Sequence, residues 1–238
     1  MDTVLFDLDG TLLPMDIRVF TKAYFKELME TFCNRYEPKK LIDTVWAGTK
    51  AMAQNDGTVK NEKRFWDVFA GVYGKASLAD IPMFDQFYES GRFHNAKAVT
   101  APTPLAAECV RILKEKGYRL VLASNPMFPS VGMRSRMQWA GVDPADFCLI
   151  TSYDVSSYCK PSLGYYQEIL DLLACRAEDC LMIGNNVRED MCAAELGLDT
   201  FLVTDCLEDA DGADLTLYRR GSMQELLAYL KTLPPVGK

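Results

Sequence analysis

Histidine is almost missing from this chain: His94 stands alone among 238 residues. Most zinc sites draw on histidine or on closely spaced cysteines, and the eight cysteines form no Cys-x-x-Cys pair, Cys175 and Cys180 being too far apart. Their irregular spacing does not read as a disulfide framework either. An apolar strand begins almost at Met1 with no leader-like stretch ahead of it, so reduced thiols in a cytoplasm are the expectation. Cys148 and Cys180 sit inside apolar runs and are expected in the core. No apolar run is long enough to span a membrane, and no internal repeat or low-complexity segment stands out. Positive charge is also short. Lys and Arg number 26 against 33 Asp and Glu, a net charge of −7, which argues against a nucleic-acid partner. An acidic chain can still hold a small phosphate where local cations and a metal neutralise it.

What remains is an ordinary globular composition, 49% hydrophobic and 25% charged. The length suits a core domain carrying a smaller insert. The most informative stretch is Val4-Leu5-Phe6-Asp7-Leu8-Asp9-Gly10-Thr11. It starts as an apolar run fit for a strand buried on both faces. If strand geometry persists to its end, period-two alternation points Asp7 and Asp9 the same way. Gly10 lets the backbone turn, and Thr11 is a common hydrogen-bonding residue there. Two such carboxylates can bind a divalent cation, or divide the work of nucleophile and general acid/base. An ordinary Asp-Gly turn is the other reading.

From Asp16 to about Gly91 the pattern is helical throughout. Phe20, Tyr24, Leu28 and Phe32 recur at helical spacing; Leu41, Val45 and Met52 suggest a second helix, Phe65, Trp66, Phe69 and Tyr73 a third, Phe84, Phe87 and Tyr88 a fourth. The aromatics are expected to be core of this bundle rather than a ligand stack. Then strands and helices alternate. A helix opens at Pro102-Thr103-Pro104, and strands are expected over Arg119–Ala123, Phe147–Thr151, Cys180–Ile183 and Thr200–Val203. Helices are expected over 129–139, 163–173, 188–196 and 223–230, with a loose Pro-Pro tail. Such alternation implies an α/β class protein, a parallel sheet covered by helices on both faces, whose ligand lies outside the carboxyl ends of the strands.

Three further strand ends carry polar groups. Ser124-Asn125-Pro126 offers a hydroxyl, an amide and nearby backbone N–H groups for phosphate oxygens. Lys160, before Pro161, can neutralise a phosphate and a carboxylate together; a solvated surface lysine is the alternative. After Gly184-Asn185-Asn186, Asp190 lies at or near an expected helix start, where a carboxylate is comfortable for structural reasons or can reach a metal beside Asp7.

Taken together, Asp7-Leu8-Asp9-Gly10-Thr11, Ser124 after an apolar strand, Lys160 in Lys-Pro-Ser and Asp190 after Ile183-Gly184 make the chain resemble the haloacid dehalogenase-like (HAD) hydrolase superfamily. The resemblance implies a Rossmann-like core over residues 1–14 and 95–238 and a C1-type helical cap over 15–94. It implies Asp7 as nucleophile forming an aspartyl-phosphate, and Asp9 as general acid/base. It also implies Ser124 and Lys160 on the phosphoryl group, and Mg²⁺ held by Asp7, the backbone carbonyl of Asp9 and Asp190. Asn125 is a further substrate-binding candidate, and Thr11 orients the loop. An acid at position 9 favours phosphate chemistry, since a halide leaving group needs no proton. One departure is that the second acid expected after Gly184 is an amide here. Asn186, four residues before Asp190, is the expected replacement ligand, with weaker metal binding as the consequence, and Glu189 a possible substitute. The expected function is Mg²⁺-dependent hydrolysis of a small cytosolic phosphomonoester. A phosphomutase or phosphotransferase, and a non-catalytic binding protein suggested by Asn185 and Asn186, are the alternatives. Lys60, Lys63, Arg64 and His94 are cap cations that either meet a second anionic group or line a solvated face.

Overall fold

The computed structural model describes residues 1–209 and 211–237. The first strand, β1 (Thr3–Phe6), is fully buried, and its four residues alternate between two layers. Val4 and Phe6 join one hydrophobic cluster, Leu5 the other, so both faces are covered. A helical block follows: α1 (Ile17–Phe32), α2 (Pro38–Ala53), α3 (Asn61–Tyr73), α4 (Ile81–Glu89) and the short α5 (Gly91–Asn95). Asp16 caps α1 by accepting from the N–H groups of Arg18 and Val19, and Glu37 caps α2 ahead of Pro38.

The chain then alternates through α6 (Pro104–Glu115), β2 (Arg119–Leu122), α7 (Ser130–Trp139), β3 (Leu149–Ile150), α8 (Leu163–Leu173), β4 (Cys180–Gly184), β5 (Asp199–Val203), β6 (Arg220–Gly221) and α9 (Met223–Thr232). All sheet pairings are parallel, in the order β3-β2-β1-β4-β5-β6. The chain works outward from β1 to β2 and β3 on one side, then returns to lay β4, β5 and β6 on the other. The carboxyl end of β1 therefore lies at the point where the strand order reverses, the place where open α/β sheets bind ligands. The helical block leaves and rejoins the sheet domain at adjacent points: Met15 bridges Thr100, and Ala101 N–H donates to the Pro14 carbonyl at 2.8 Å. Its aromatic core, including Phe32, Trp66, Phe69 and Phe84, belongs to the same hydrophobic cluster as Val4, Phe6 and Leu122.

Several expectations need correction. Strand geometry stops at Phe6, so Asp7 and Asp9 are not related by strand alternation. Residues 188–196 are not one helix: only Met191–Leu196 is helical, as a 3₁₀ segment. Asn186 Oδ1 accepts the N–H groups of Arg188 and Glu189 at 3.0 and 2.9 Å, building a turn where helix was expected. The strand over 147–151 shrinks to Leu149–Ile150, Cys148 is exposed, and the edge strand β6 was not foreseen. The tail is tied down, because Val236 N–H donates to the Lys116 carbonyl at 2.8 Å and Tyr118 Oη to that of Pro234 at 2.8 Å.

Candidate active site

Asp7 is the first residue past β1, its N–H still held by the Ile183 carbonyl of β4 at 2.9 Å. One strand over, Gly184 ends β4, and Asp190 folds back across it. A Cβ at position 184 would sit 2.1 Å from Asp190 Oδ2, so a glycine is what lets this carboxylate lie against the sheet edge. Asp190 Oδ2 accepts from Asn186 N–H at 2.9 Å, which fixes Oδ1 toward Lys160. Lys160 arrives from the loop after β3 and is buried. Its Nζ donates to Asp7 Oδ1 at 2.9 Å and Asp190 Oδ1 at 2.6 Å. It is therefore not a solvated surface lysine. Thr11 donates its hydroxyl to Asn185 Oδ1 at 2.9 Å and approaches Asp7 Oδ2 at 3.3 Å, while Asn185 Nδ2 donates to the Cys206 carbonyl at 2.7 Å. Gly10 makes this possible: it sits at φ +84°, and a Cβ there would meet the Asn185 amide at 2.4 Å.

Ser124 and Asn125 stand at the end of β2, as expected. The Ser124 carbonyl is clamped by Tyr165 Oη at 2.9 Å and Thr151 Oγ1 at 2.7 Å. Asn125 Nδ2 donates to Glu189 Oε2 at 3.0 Å, and its buried Oδ1 has no partner among the described residues. Asn186, the expected replacement ligand, is hydrogen-bonded within the protein. Its Oδ1 is engaged by two backbone N–H groups and its Nδ2 donates to Glu208 Oε2 at 2.9 Å, so it is a turn residue rather than a free ligand. The carboxylates at this edge of the site are Glu189 and Glu208.

One residue of the site escaped the sequence reading. Arg136 of α7 is fully buried and its Nη1 pairs with Asp9 Oδ2. Its guanidinium lies over the Phe128 ring, 4.1 Å from the centroid. Asp9 Oδ1 is buried without a partner among the described residues. The signal was present in the spacing: Met133, Arg136 and Met137 share one helical stripe, whereas Arg134 falls on another face.

The charges do not balance. Asp7 and Asp190 share the single ammonium of Lys160, with Asp9 and Glu189 nearby. Burial pushes the Asp7 carboxyl up to about 8; Lys160 opposes this, and Asp190 and Asp9 add to it. Burial likewise raises Glu189, with Asp190 adding to the shift and Lys160 opposing it. For Lys160, burial favours the neutral amine, but Asp190 and Asp7 outweigh it and hold the group well above its ordinary value. The described residues contain no ready cluster of three acidic, histidine or cysteine ligands, because Lys160 stands between Asp7 and Asp190. A hard divalent cation nevertheless fits this donor set. The donors are carboxylate oxygens, and Asp7, Asp190 and Glu189 outnumber the one ammonium of Lys160 among them.

Above these carboxylates opens a cavity of about 380 Å³, roofed by aromatic side chains of the helical block such as Phe20, Tyr24, Trp46 and Trp66. The four cations of the block that sequence left open face elsewhere. Lys60 donates to the Val155 carbonyl and to Glu168, Lys63 pairs with Asp67, and Arg64 with Asp56, while His94 Nδ1 accepts from Trp139 Nε1 at 2.8 Å.

Known proteins share this fold. The chain is 26% identical over 203 residues to a phosphoglycolate phosphatase of Aquifex aeolicus, covering 85% of this chain and 84% of that one. It is 30% identical over 121 residues to a glyceraldehyde 3-phosphate phosphatase of Methanothermobacter thermautotrophicus, a match spanning about half of each chain (50% and 52%). Among solved structures, a HAD phosphatase from Thermococcus onnurineus superposes with a TM-score of 0.55 at 18% identity, over 99% of this chain and 100% of that one. The family profile described as haloacid dehalogenase-like hydrolase matches residues 1–197, the span that carries Asp7, Lys160 and Asp190, and the chain belongs to that family of hydrolases.

Proposed function

We propose that the chain is a Mg²⁺-dependent phosphatase that hydrolyses a small phosphomonoester through an aspartyl-phosphate on Asp7. The observation that carries this reading is the meeting of Asp7, Lys160 and Asp190 at the sheet's reversal point, with Asp9 on the same loop. Asp7 Oδ attacks phosphorus and forms the new P–O bond. Lys160 holds Asp7 in place and offsets charge on the phosphoryl oxygens. Asp9 gives a proton to the leaving oxygen, then takes one from the water that cleaves the aspartyl-phosphate. Ser124 and Asn125, at the end of β2, line the cavity beside Asp7 and are read as the groups that meet the phosphoryl oxygens, the Ser124 hydroxyl and the Asn125 Nδ2 amide being the donors available. Asp7, Asp190 and the Asp9 backbone would hold Mg²⁺, with Glu189 rather than Asn186 as the additional acid. When bound, the ion supplies positive charge to the transferring phosphoryl group. The helical block acts as a cap that keeps bulk water from the intermediate.

The test is hydrolysis of 4-nitrophenyl phosphate with Mg²⁺ by the wild type and Asp7→Asn. Activity in the first and a loss of at least a thousandfold in the second is expected. Equal activity in both, or none in the wild type at any Mg²⁺ concentration, overturns the reading.

A further inference from the structure

We propose that the phosphate ester cleaved here is that of an uncharged, ring-bearing apolar alcohol and not of a molecule carrying a second anionic group; this rests on the phosphatase reading above. The cavity leads directly from Asp7 and Asp9 into a wall of aromatic side chains, among them Phe20, Phe25, Trp46, Trp66, Phe84 and Phe128. Among the described residues no Lys, Arg or His lines it. Its charged lining is entirely acidic, comprising Asp7, Asp9, Glu189, Asp190 and Glu208. The two buried cations behind these acids are already committed, Lys160 to Asp7 and Asp190, and Arg136 to Asp9.

A carboxylate or second phosphate in the leaving group would give up water, find no counter-charge and face these acids across a medium of low dielectric. An aromatic ring, by contrast, replaces water on an apolar wall and can stack or meet neighbouring rings edge-on. The available polar contacts are neutral. Tyr24 and Tyr88 hydroxyls pair at 2.9 Å, burial pushes the Tyr24 phenol up to about 12, and Tyr88 is raised as well, so both stay protonated. The pair leaves one hydroxyl hydrogen to donate, and Thr49 of α2 adds another hydroxyl to the lining. At about 380 Å³ the space suits one or two rings on a short linker. The reaction is balanced as before: the P–O bond to the alcohol breaks, its oxygen leaves with the proton from Asp9, and water returns Asp7 free with inorganic phosphate.

The experiment compares kcat/KM for 2-phenylethyl phosphate, phosphoglycolate and inorganic pyrophosphate with Mg²⁺. The first two both expel an alkyl oxygen, so leaving-group chemistry does not decide between them. A preference of at least tenfold for 2-phenylethyl phosphate is expected. Thr49→Arg, which adds a cation to a half-buried part of the wall, should narrow the ratio to phosphoglycolate about tenfold. A preference for phosphoglycolate or pyrophosphate, or rates within threefold of each other, overturns the substrate class while leaving the phosphatase reading intact. Turnover of no phosphoester at all overturns the phosphatase reading itself.

Discussion

Asp7 and Asp9 are chemically alike and close in sequence, yet their surroundings give them opposite consequences for stability. Asp7 lies among like charges and shares its one cation, so its ionised form is a burden on the metal-free fold. Asp9 is the partner of a buried arginine. Asp7→Asn should therefore leave the metal-free protein as stable or more stable, whereas Asp9→Asn strands the Arg136 guanidinium and should cost about 2 kcal/mol, below the usual penalty for a broken buried pair because Asp9 is partly exposed. Thermal melts in chelator check both; equal losses would refute the assignment. A pH dependence follows with a definite sign. In the unfolded chain an Asp gives up its proton near pH 4, but folded Asp7 keeps it to about 8. Between these values the folded state binds the extra proton, so stability without metal falls as pH rises through the window. The melting temperature should drop from pH 5.5 to 8 in the wild type, and by clearly less in Asp7→Asn. Asp7, Lys160 and Asp190 were legible in sequence because each lies on a segment that follows an apolar strand at its carboxyl end. Arg136 was passed over, because a charged residue on a helix ordinarily faces water, and its place on the stripe of Met133 and Met137 hints at burial without naming the partner.

At the level of elements, the two edges of β4 explain both what was foreseen and what was missed. Apolar runs and their spacing announced β1, β2, β4 and β5, the strands that bring the site together. The segment after Gly184 misled, because Gly197 reads as a helix stop while Asn186 competes for the backbone N–H groups that would start the helix. The same hydrogen bonds occupy Asn186, so on the Mg²⁺-dependent reading Asn186→Asp should leave the Mg²⁺ concentration for half-maximal activity unchanged within about twofold. Glu189→Gln should raise it several-fold. A large effect of the first and none of the second would exchange the roles of the two residues. Gly184 is the element's other constraint. Gly184→Ala drives a methyl into Asp190, which cannot withdraw without releasing Lys160, so activity should fall at least tenfold with a stability loss of about 1–3 kcal/mol.

Across the whole molecule, the helical block is bound to the sheet domain more firmly than a lid on two linkers. Asn61 N–H donates to the Ser156 carbonyl at 2.9 Å, Glu62 N–H to that of Tyr153 at 2.8 Å, and Lys60 reaches Val155 and Glu168. At the other side, Tyr88 of α4 fits against Gly132 of α7. The aromatic residues that sequence assigned to the bundle interior are mostly buried there, but Phe20, Tyr24, Trp66 and Phe84 also line the cavity, and the same cluster runs on into the sheet. Helical periodicity reveals that a face is buried and not what it is buried against, which is why this continuity could not be read beforehand. Its consequence is cooperative unfolding. Calorimetry should show one transition whose van't Hoff and calorimetric enthalpies agree. Trp66→Ala tests this directly, because Trp66 packs on Phe65, Phe69 and Phe84 within the block and its Nε1 reaches Tyr153 Oη of the sheet domain at 3.4 Å. Its loss should cost about 3–5 kcal/mol, lowering the melting temperature by roughly 10 °C. Far-ultraviolet and near-ultraviolet signals should move together, since the helices and the sheet share one cluster. A helical signal that melts first while the sheet domain still binds Mg²⁺ would show that the block folds as a separate unit.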